Sequence, residues 1–231
     1  MGKIVVIEGT DFSGKTTQYE LLKKRLNEKG LVFGTDSFPN YESESSFFVR
    51  EHLKGTFGTG SDDVDPKVAS IFYALDRYAS FKMHPWGDIY RGGGNILFSR
   101  YITSNVVHQG AKIKDIDAKK EFTEWLYNFE TNVLGIPKES VTIFLDMPID
   151  KIIELKKKRL VEQNGLASSG SSVDIYEDDM DFLKRSYENA KLLGKYLNWV
   201  FISCVNEKNE IRSIEEINDE IFSIVLNVFN S

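Results

Sequence analysis

The 231-residue chain has a single cysteine, Cys204, so no disulfide can form within it and a reducing compartment follows. Because that thiol lies in an apolar stretch, it reads as a buried strand residue. No apolar run is long enough to span a bilayer, and the opening Met1-Gly2-Lys3-Ile4-Val5-Val6-Ile7-Glu8 is too short in apolar residues to be a secretory core. Gly2 is not followed by Ser or Thr at the spacing of a myristoylation signal. An excess of positive charge is missing too: the formal net charge is -6, which gives no general attraction to polyanions and makes polymeric nucleic acid an unexpected partner. These absences leave a soluble, cytoplasmic protein with no membrane attachment as the expectation.

What is present is enough apolar residue, 41%, to fill one sizeable core, so residues 1–231 are expected to form a single domain. Short β-branched runs at Ile4–Glu8, Leu31–Ser37, Asn95–Ser99, Val141–Asp146 and Trp199–Cys204 alternate with amphipathic stretches. These lie near Lys15–Lys29, Ser45–Leu53, Pro66–Met83, Ile102–His108, Asp115–Thr131, Ile149–Gln163, Met180–Leu197 and Ser213–Phe229. That alternation predicts an α/β fold: a parallel sheet with helices on both faces. Two stretches interrupt it. Gly55 to Asp63 is a turn-rich connection before Pro66, and Asn164 to Ser172 is rich in Gly and Ser, with the composition of a mobile lid over about 160–178.

Chemistry concentrates first at Gly9-Thr10-Asp11-Phe12-Ser13-Gly14-Lys15-Thr16, which matches G-x-x-x-x-G-K-[ST] without a mismatch. A buried strand ends just before it, and Tyr19, Leu22 and Leu26 recur at helical spacing just after it. In such a P-loop, glycines let successive N–H groups point inward, and the following helix N-terminus favours anionic oxygens. Lys15 then supplies a cation to the β- and γ-phosphates, the Thr16 hydroxyl ligates Mg²⁺, and Thr17 extends the ATP-binding segment. The loop alone does not separate GTPases, ATPases and small-molecule kinases. No Asn-Lys-x-Asp guanine-reading segment is present, and Leu145-Asp146 offers only a weak Walker B acid. Asp11 is out of place in an anion cradle unless it faces a cation, a sugar hydroxyl or Mg²⁺.

Glu8-Gly9-Thr10-Asp11 leading into Ser13-Gly14-Lys15-Thr16-Thr17-Gln18 resembles the opening of thymidylate kinases. In the same order follow Phe38-Pro39, Tyr73-Ala74-Leu75-Asp76-Arg77-Tyr78, Arg100-Tyr101-Ile102-Thr103-Ser104-Asn105 and Gln109-Gly110, so the resemblance runs from residue 3 to about residue 220. It implies a five-stranded parallel P-loop NTPase sheet, transfer of the γ-phosphoryl of ATP to dTMP with Mg²⁺, and a homodimer. It also implies that Tyr73 stacks on the base, that Arg77 clamps the acceptor phosphate and that Arg100 sits beside the phosphates. Ser104, Asn105 and Gln109 would line the base pocket, Phe38 and Pro39 would wall it, and Tyr176 and Glu177 would close over the acceptor with the lid.

Three positions depart from the family pattern. Phe12 stands where many members carry an arginine, so a catalytic cation must come from elsewhere, and Arg159 at the edge of the lid is the expected donor. Ser99 replaces the acid that usually precedes the arginine, leaving Mg²⁺ to Thr16, Asp11, water and the phosphates. Tyr41 replaces an arginine after Phe-Pro, which shifts weight onto Arg77 or Arg50. Another nucleotide or nucleoside kinase of this fold, and a P-loop regulator with no acceptor, stay open as alternatives.

Overall fold

The structure, a computed structural model, describes residues 2–164 and 179–231, with side chains over 2–158 and 179–231. The expected lid segment, the Arg159 side chain, Tyr176 and Glu177 therefore lie outside the described residues, except for the helical backbone up to Asn164. Five strands form one sheet: β1 (Ile4–Glu8), β2 (Phe33–Ser37), β3 (Asn95–Ser99), β4 (Val141–Asp146) and β5 (Val200–Ser203), in the order β2-β3-β1-β4-β5. All four pairings are parallel, as the β-α alternation predicts, with Ile4 opposite Ile96 and Val5 opposite Val141. Central β1 is buried along its whole length, which is why Ile4 to Ile7 read as an unbroken Ile/Val run ahead of the buried Glu8.

The period-2 alternation of β1 divides the core into two layers. Ile4 and Val6, with Ile96, Phe98 and Phe144, face α4 (Pro85–Arg91), α5 (Ile102–His108), α6 (Ile116–Tyr127) and α8 (Met180–Tyr196) through Trp86, Val106, Phe122 and Leu193. Val5 and Ile7, with Leu97, Ile143 and Leu145, face α1 (Lys15–Glu28), α7 (Ile149–Asn164) and α9 (Ile214–Phe229) through Leu22, Leu26, Ile152 and Ile221. Cys204 is buried just beyond β5, and burial pushes its thiol up to about 12, so it behaves as an apolar filler. Helix α9 begins with a reciprocal capping box between Ser213 and Glu216 and is tied to α1 by buried Asn218. The Asn218 amide donates to the Gln18 carbonyl (3.0 Å) and side chain (2.8 Å). At the far edge, Asn95 accepts from the Lys3 N–H and donates to the Phe229 carbonyl, each at 3.1 Å.

Several boundaries move from the sequence expectation. β2 starts at Phe33 because the chain leaves α1 through left-handed Gly30 and exposes Val32. α4 was not anticipated: seven residues are too few to show helical periodicity, although Pro85 in its first turn is a helix-start signal. α3 (Pro66–Met83) opens as expected at Pro66, with Asp65 capping the Lys67 and Val68 N–H groups. α2 (Phe47–Leu53) is preceded by a 3₁₀ turn at Glu44–Ser46. Past Tyr127, α6 widens into a π-helical segment, Asn128–Val133.

Candidate active site

At the carboxyl end of β1 the chain turns sharply into α1. Gly14 (φ 86°) and Phe12 (φ 63°) take left-handed backbone, which glycine adopts freely and phenylalanine does not. A Cβ at Gly9 would come within 2.5 Å of the Ser13 hydroxyl, so this glycine is required by close approach. The Thr10 and Ser13 hydroxyls are buried without a hydrogen-bond partner among the described residues. Lys15 opens α1, is 8% exposed, and donates to the Thr10 carbonyl at 2.6 Å. Burial, then the Arg100 charge, lowers its ammonium to about 8 against the pull of Asp11 and Glu8.

Arg100 enters from the carboxyl end of β3, itself left-handed at φ 64°. Its guanidinium pairs with Asp11 and donates to His108 Nε2 at 3.1 Å, with Glu8 3.9 Å away. Asp11 also lies 3.7 Å from Lys15. Burial opposes ionisation of Asp11, but the charges of Arg100 and Lys15 hold its carboxyl well below the usual range. Burial drives His108 down to about 3, so it stays neutral and accepts the arginine N–H. Glu8, fully buried, accepts from the Gly9 N–H (3.0 Å), Thr103 (2.9 Å) and Ser104 (2.6 Å), and so fastens the phosphate loop to α5.

A cleft of about 620 Å³ runs from this loop along the carboxyl edge of the sheet. It brings together most of the residues singled out from the sequence: Asp11, Phe12, Gly14, Lys15, Thr16 and Thr17 at one end, with Phe38, Pro39, Tyr73, Arg77, Arg100, Ser104, Asn105 and Gln109 around the rest. Gly9, Thr10 and Ser13 stand behind the wall and shape the loop. Phe38 precedes a cis bond to Pro39 and packs on Phe98 and Tyr101. The Asn105 amide donates to the Ser70 carbonyl at 3.2 Å, and buried Gln109 Oε1 has no partner among the described residues. Arg77 is 1% exposed and forms a two-pronged pair with Glu130, Nε to Oε2 at 2.6 Å and Nη2 to Oε1 at 2.5 Å. Burial disfavours this cation, yet the adjoining Glu130 carboxylate raises it above an ordinary arginine.

Two expectations are redirected by these contacts. Asp146 is not turned to the phosphates: Lys191 and Tyr187 (2.8 Å) occupy its two carboxylate oxygens. Arg50 is drawn to the Tyr41 and Ser43 carbonyls (2.9 and 2.7 Å), where it braces the loop after Pro39. Sequence reasoning also missed Glu130 and His108. An acid late in an amphipathic stretch reads as solvated, and a lone histidine at a helix end carries no motif.

No cluster of three or more potential metal-ligating His, Cys, Asp or Glu side chains occurs among the described residues. The oxygens present suit an ion carried in by nucleotide phosphates. Thr16 presents a hydroxyl at the cleft, while the carboxylate of Asp11 is engaged by Arg100. Mg²⁺ keeps several waters and takes few protein ligands, so this donor set fits it.

A family model described as thymidylate kinase matches residues 7–217. The chain is 27% identical over 184 residues to a thymidylate kinase of Mycobacterium tuberculosis, covering 79% of this chain and 81% of that one. It is 24% identical over 234 residues to a thymidylate kinase of Prochlorococcus marinus, covering 100% and 98%. With a probable thymidylate kinase of Methanocaldococcus jannaschii the identity is 25% over 227 residues, covering 97% and 96%. A solved thymidylate kinase from Candida albicans shares the fold with a TM-score of 0.65 at 18% identity, over 98% of this chain and 92% of that one. With a phosphate loop, a neighbouring arginine and an aromatic-walled pocket opening on one cleft, and with the family model matched along nearly the whole length, the chain belongs to the thymidylate kinase family.

Proposed function

We propose that this chain transfers the γ-phosphoryl group of ATP to dTMP, giving dTDP, by direct in-line attack in the cleft between the phosphate loop and α3. The observation that carries the reading is the continuity of that cleft: the Lys15 loop and the Tyr73 wall open on one space, so donor and acceptor can meet without an intermediate on the protein. Lys15 and the loop N–H groups hold the donor phosphates. Arg100, kept in place by Asp11 and His108, lies where charge develops between donor and acceptor. Tyr73 supplies a flat face for the base, and Gln109 Oε1, which has no partner among the described residues, supplies an acceptor for a ring N–H. Mg²⁺, held by Thr16 and the nucleotide, offsets phosphate charge.

Residues 160–178 act in this reading as a lid. The helices on either side support it: Leu155 of α7 lines the cleft, and Phe182 of α8 stacks on His108 with centroids 6.3 Å apart. Arg159 supplies the cation that Phe12 does not, and Tyr176 and Glu177 complete the acceptor side. In support, Lys156, one turn earlier on α7, already lies 5.9 Å over the Phe12 ring. A homodimer is part of the same proposal, through the partly exposed aromatic face of α2, α3 and the connection between them. There Phe48 touches Phe47 at 5.4 Å and Phe72 at 5.6 Å, and Phe57 touches Phe72 at 5.4 Å.

The test is ADP release with ATP·Mg²⁺ and each deoxy- and ribonucleoside monophosphate in turn. dTMP should be the preferred acceptor, and Lys15→Ala should lower kcat by about 100-fold or more. Slow hydrolysis of ATP indifferent to every acceptor would sink the proposal.

A further inference from the structure

Glu130 has no part in the phosphate loop and was not singled out by any motif, yet it is wholly buried at the acceptor end of the cleft. It sits in the π-helical segment Asn128–Val133. A π turn shifts the phase of every following side chain relative to a regular helix, so the widening fixes which way this segment presents its residues. The segment is held at its end, with Leu134 N–H donating to the Phe129 carbonyl (3.0 Å) and Ile136 N–H to the Glu130 carbonyl (2.9 Å).

Burying two opposite charges here is a poor way to gain stability, because desolvation consumes most of the attraction. What the pair does provide is geometry. Two parallel N–H···O bonds on Nε and Nη2 lock the guanidinium plane of Arg77 and leave Nη1 with no hydrogen bond among the described residues, on a residue that lines the cleft. The neighbouring acid, Asp76, is not the counterion: its carboxylate accepts from the Asn40 N–H (2.9 Å) and Ser45 Oγ (2.6 Å) and so orders the loop after Pro39. Arg77 thus reaches the cleft as a fixed donor whose charge is already cancelled. A dianionic phosphate placed there would meet the Glu130 carboxylate directly behind the guanidinium, whereas a neutral carbonyl oxygen would meet only the N–H.

We propose that Glu130 is a positioning and specificity-determining residue: delivered by the π turn, it aims Arg77 and neutralises it, so that this end of the pocket takes an uncharged, carbonyl-bearing base and not the acceptor's phosphate. The inference rests on the dTMP kinase reading and revises the expected phosphate clamp at Arg77.

The test compares wild type, E130Q, E130D, R77M and R77M/E130M in steady-state assays with dTMP and with dCMP, whose ring carries an amine in place of one carbonyl. In E130Q the KM for dTMP should rise about ten-fold or more while the KM for ATP stays within about two-fold, and the preference for dTMP over dCMP should shrink. E130D, which keeps the charge at shorter reach, should fall between wild type and E130Q. Because the acid acts through the arginine, R77M/E130M should match R77M and not multiply it; replacing a buried pair by apolar side chains is often neutral or stabilising, so the double variant should fold, as far-UV circular dichroism would check. An E130Q or E130D enzyme with wild-type KM and base preference overturns the inference, as does a double variant whose defect is the product of the single ones. Should E130Q fail to fold, E130D and the apolar double variant decide the matter. Wild-type turnover of dTMP in the same assays keeps the two readings apart: its absence would remove the kinase assignment, its presence with an indifferent Glu130 only this one.

Discussion

Lys15 shows how a residue readable from spacing acquires properties that spacing does not convey. Its place in the loop follows from the motif, but its acidity follows from burial and from Arg100, neither of which is local in sequence. An ammonium lowered to about 8 is protonated at neutral pH and loses its charge above that value in the free enzyme. Accordingly, log kcat/KM for ATP should fall by about one per pH unit above roughly pH 8, with kcat falling less because bound phosphates retain the proton; initial rates from pH 6 to 9.5 check this. Glu139 is a second such case. Burial raises it to about 7 despite a hydrogen bond from Tyr127, and its Oε2 has no partner among the described residues. Its folded-state pKa lies above the unfolded value, so its contribution is intact below about pH 4.5 and is lost as pH rises through 7. Glu139→Gln should remove that decline and raise the thermal midpoint at pH 8 by a few degrees, about 2–4 °C for each kcal/mol recovered.

At the scale of elements, the phosphate loop depends on a helix almost 200 residues away. Asn218 of α9 is fully buried, donates to Gln18, and accepts from Arg25 at 2.9 Å, so it bolts α9 to the helix that begins with Lys15. Asn218→Ala leaves the Gln18 groups buried without their donor, and the cost should be about 1–3 kcal/mol in urea unfolding with little change in slope. The central strands β1, β3 and β4 and most helices were legible because burial on both faces writes apolar runs, and amphipathic faces write a 3.6-residue period. α4 was not, since seven residues behind a proline carry too little period to read. The π turn was invisible for a different reason: its sequence, Asn128-Phe129-Glu130-Thr131-Asn132-Val133, carries no local signal that separates a π winding from a regular helical turn. The same gap hid the partner of Arg77, because ion pairing across 53 residues leaves no local signature.

For the molecule as a whole, the sequence conveyed the sheet, the donor loop and the cleft, but not what covers the outer surface. Phe48 on α2 is 46% exposed and belongs to a patch with Phe47, Phe57 and Phe72, bordered on α3 by exposed Val68 and Leu75. Phe48→Glu should shift sedimentation from dimer to monomer at micromolar concentration while leaving far-UV circular dichroism unchanged; a wild type that sediments as a monomer would refute the dimer.

The amide of Asn95 bonds the main chain at Lys3 with one end and at Phe229 with the other, so the first and last parts of the fold are separated by the width of a single side chain. The order in which the polypeptide is threaded is therefore dispensable in a way its contacts are not. A linker of about four residues, at roughly 3.3 Å each, can join the segment at Lys3 to the segment at Phe229, and a chain so joined can begin and end instead at a surface turn remote from the cleft. In such a rearranged gene the helix that steadies the phosphate loop would be made before the loop itself.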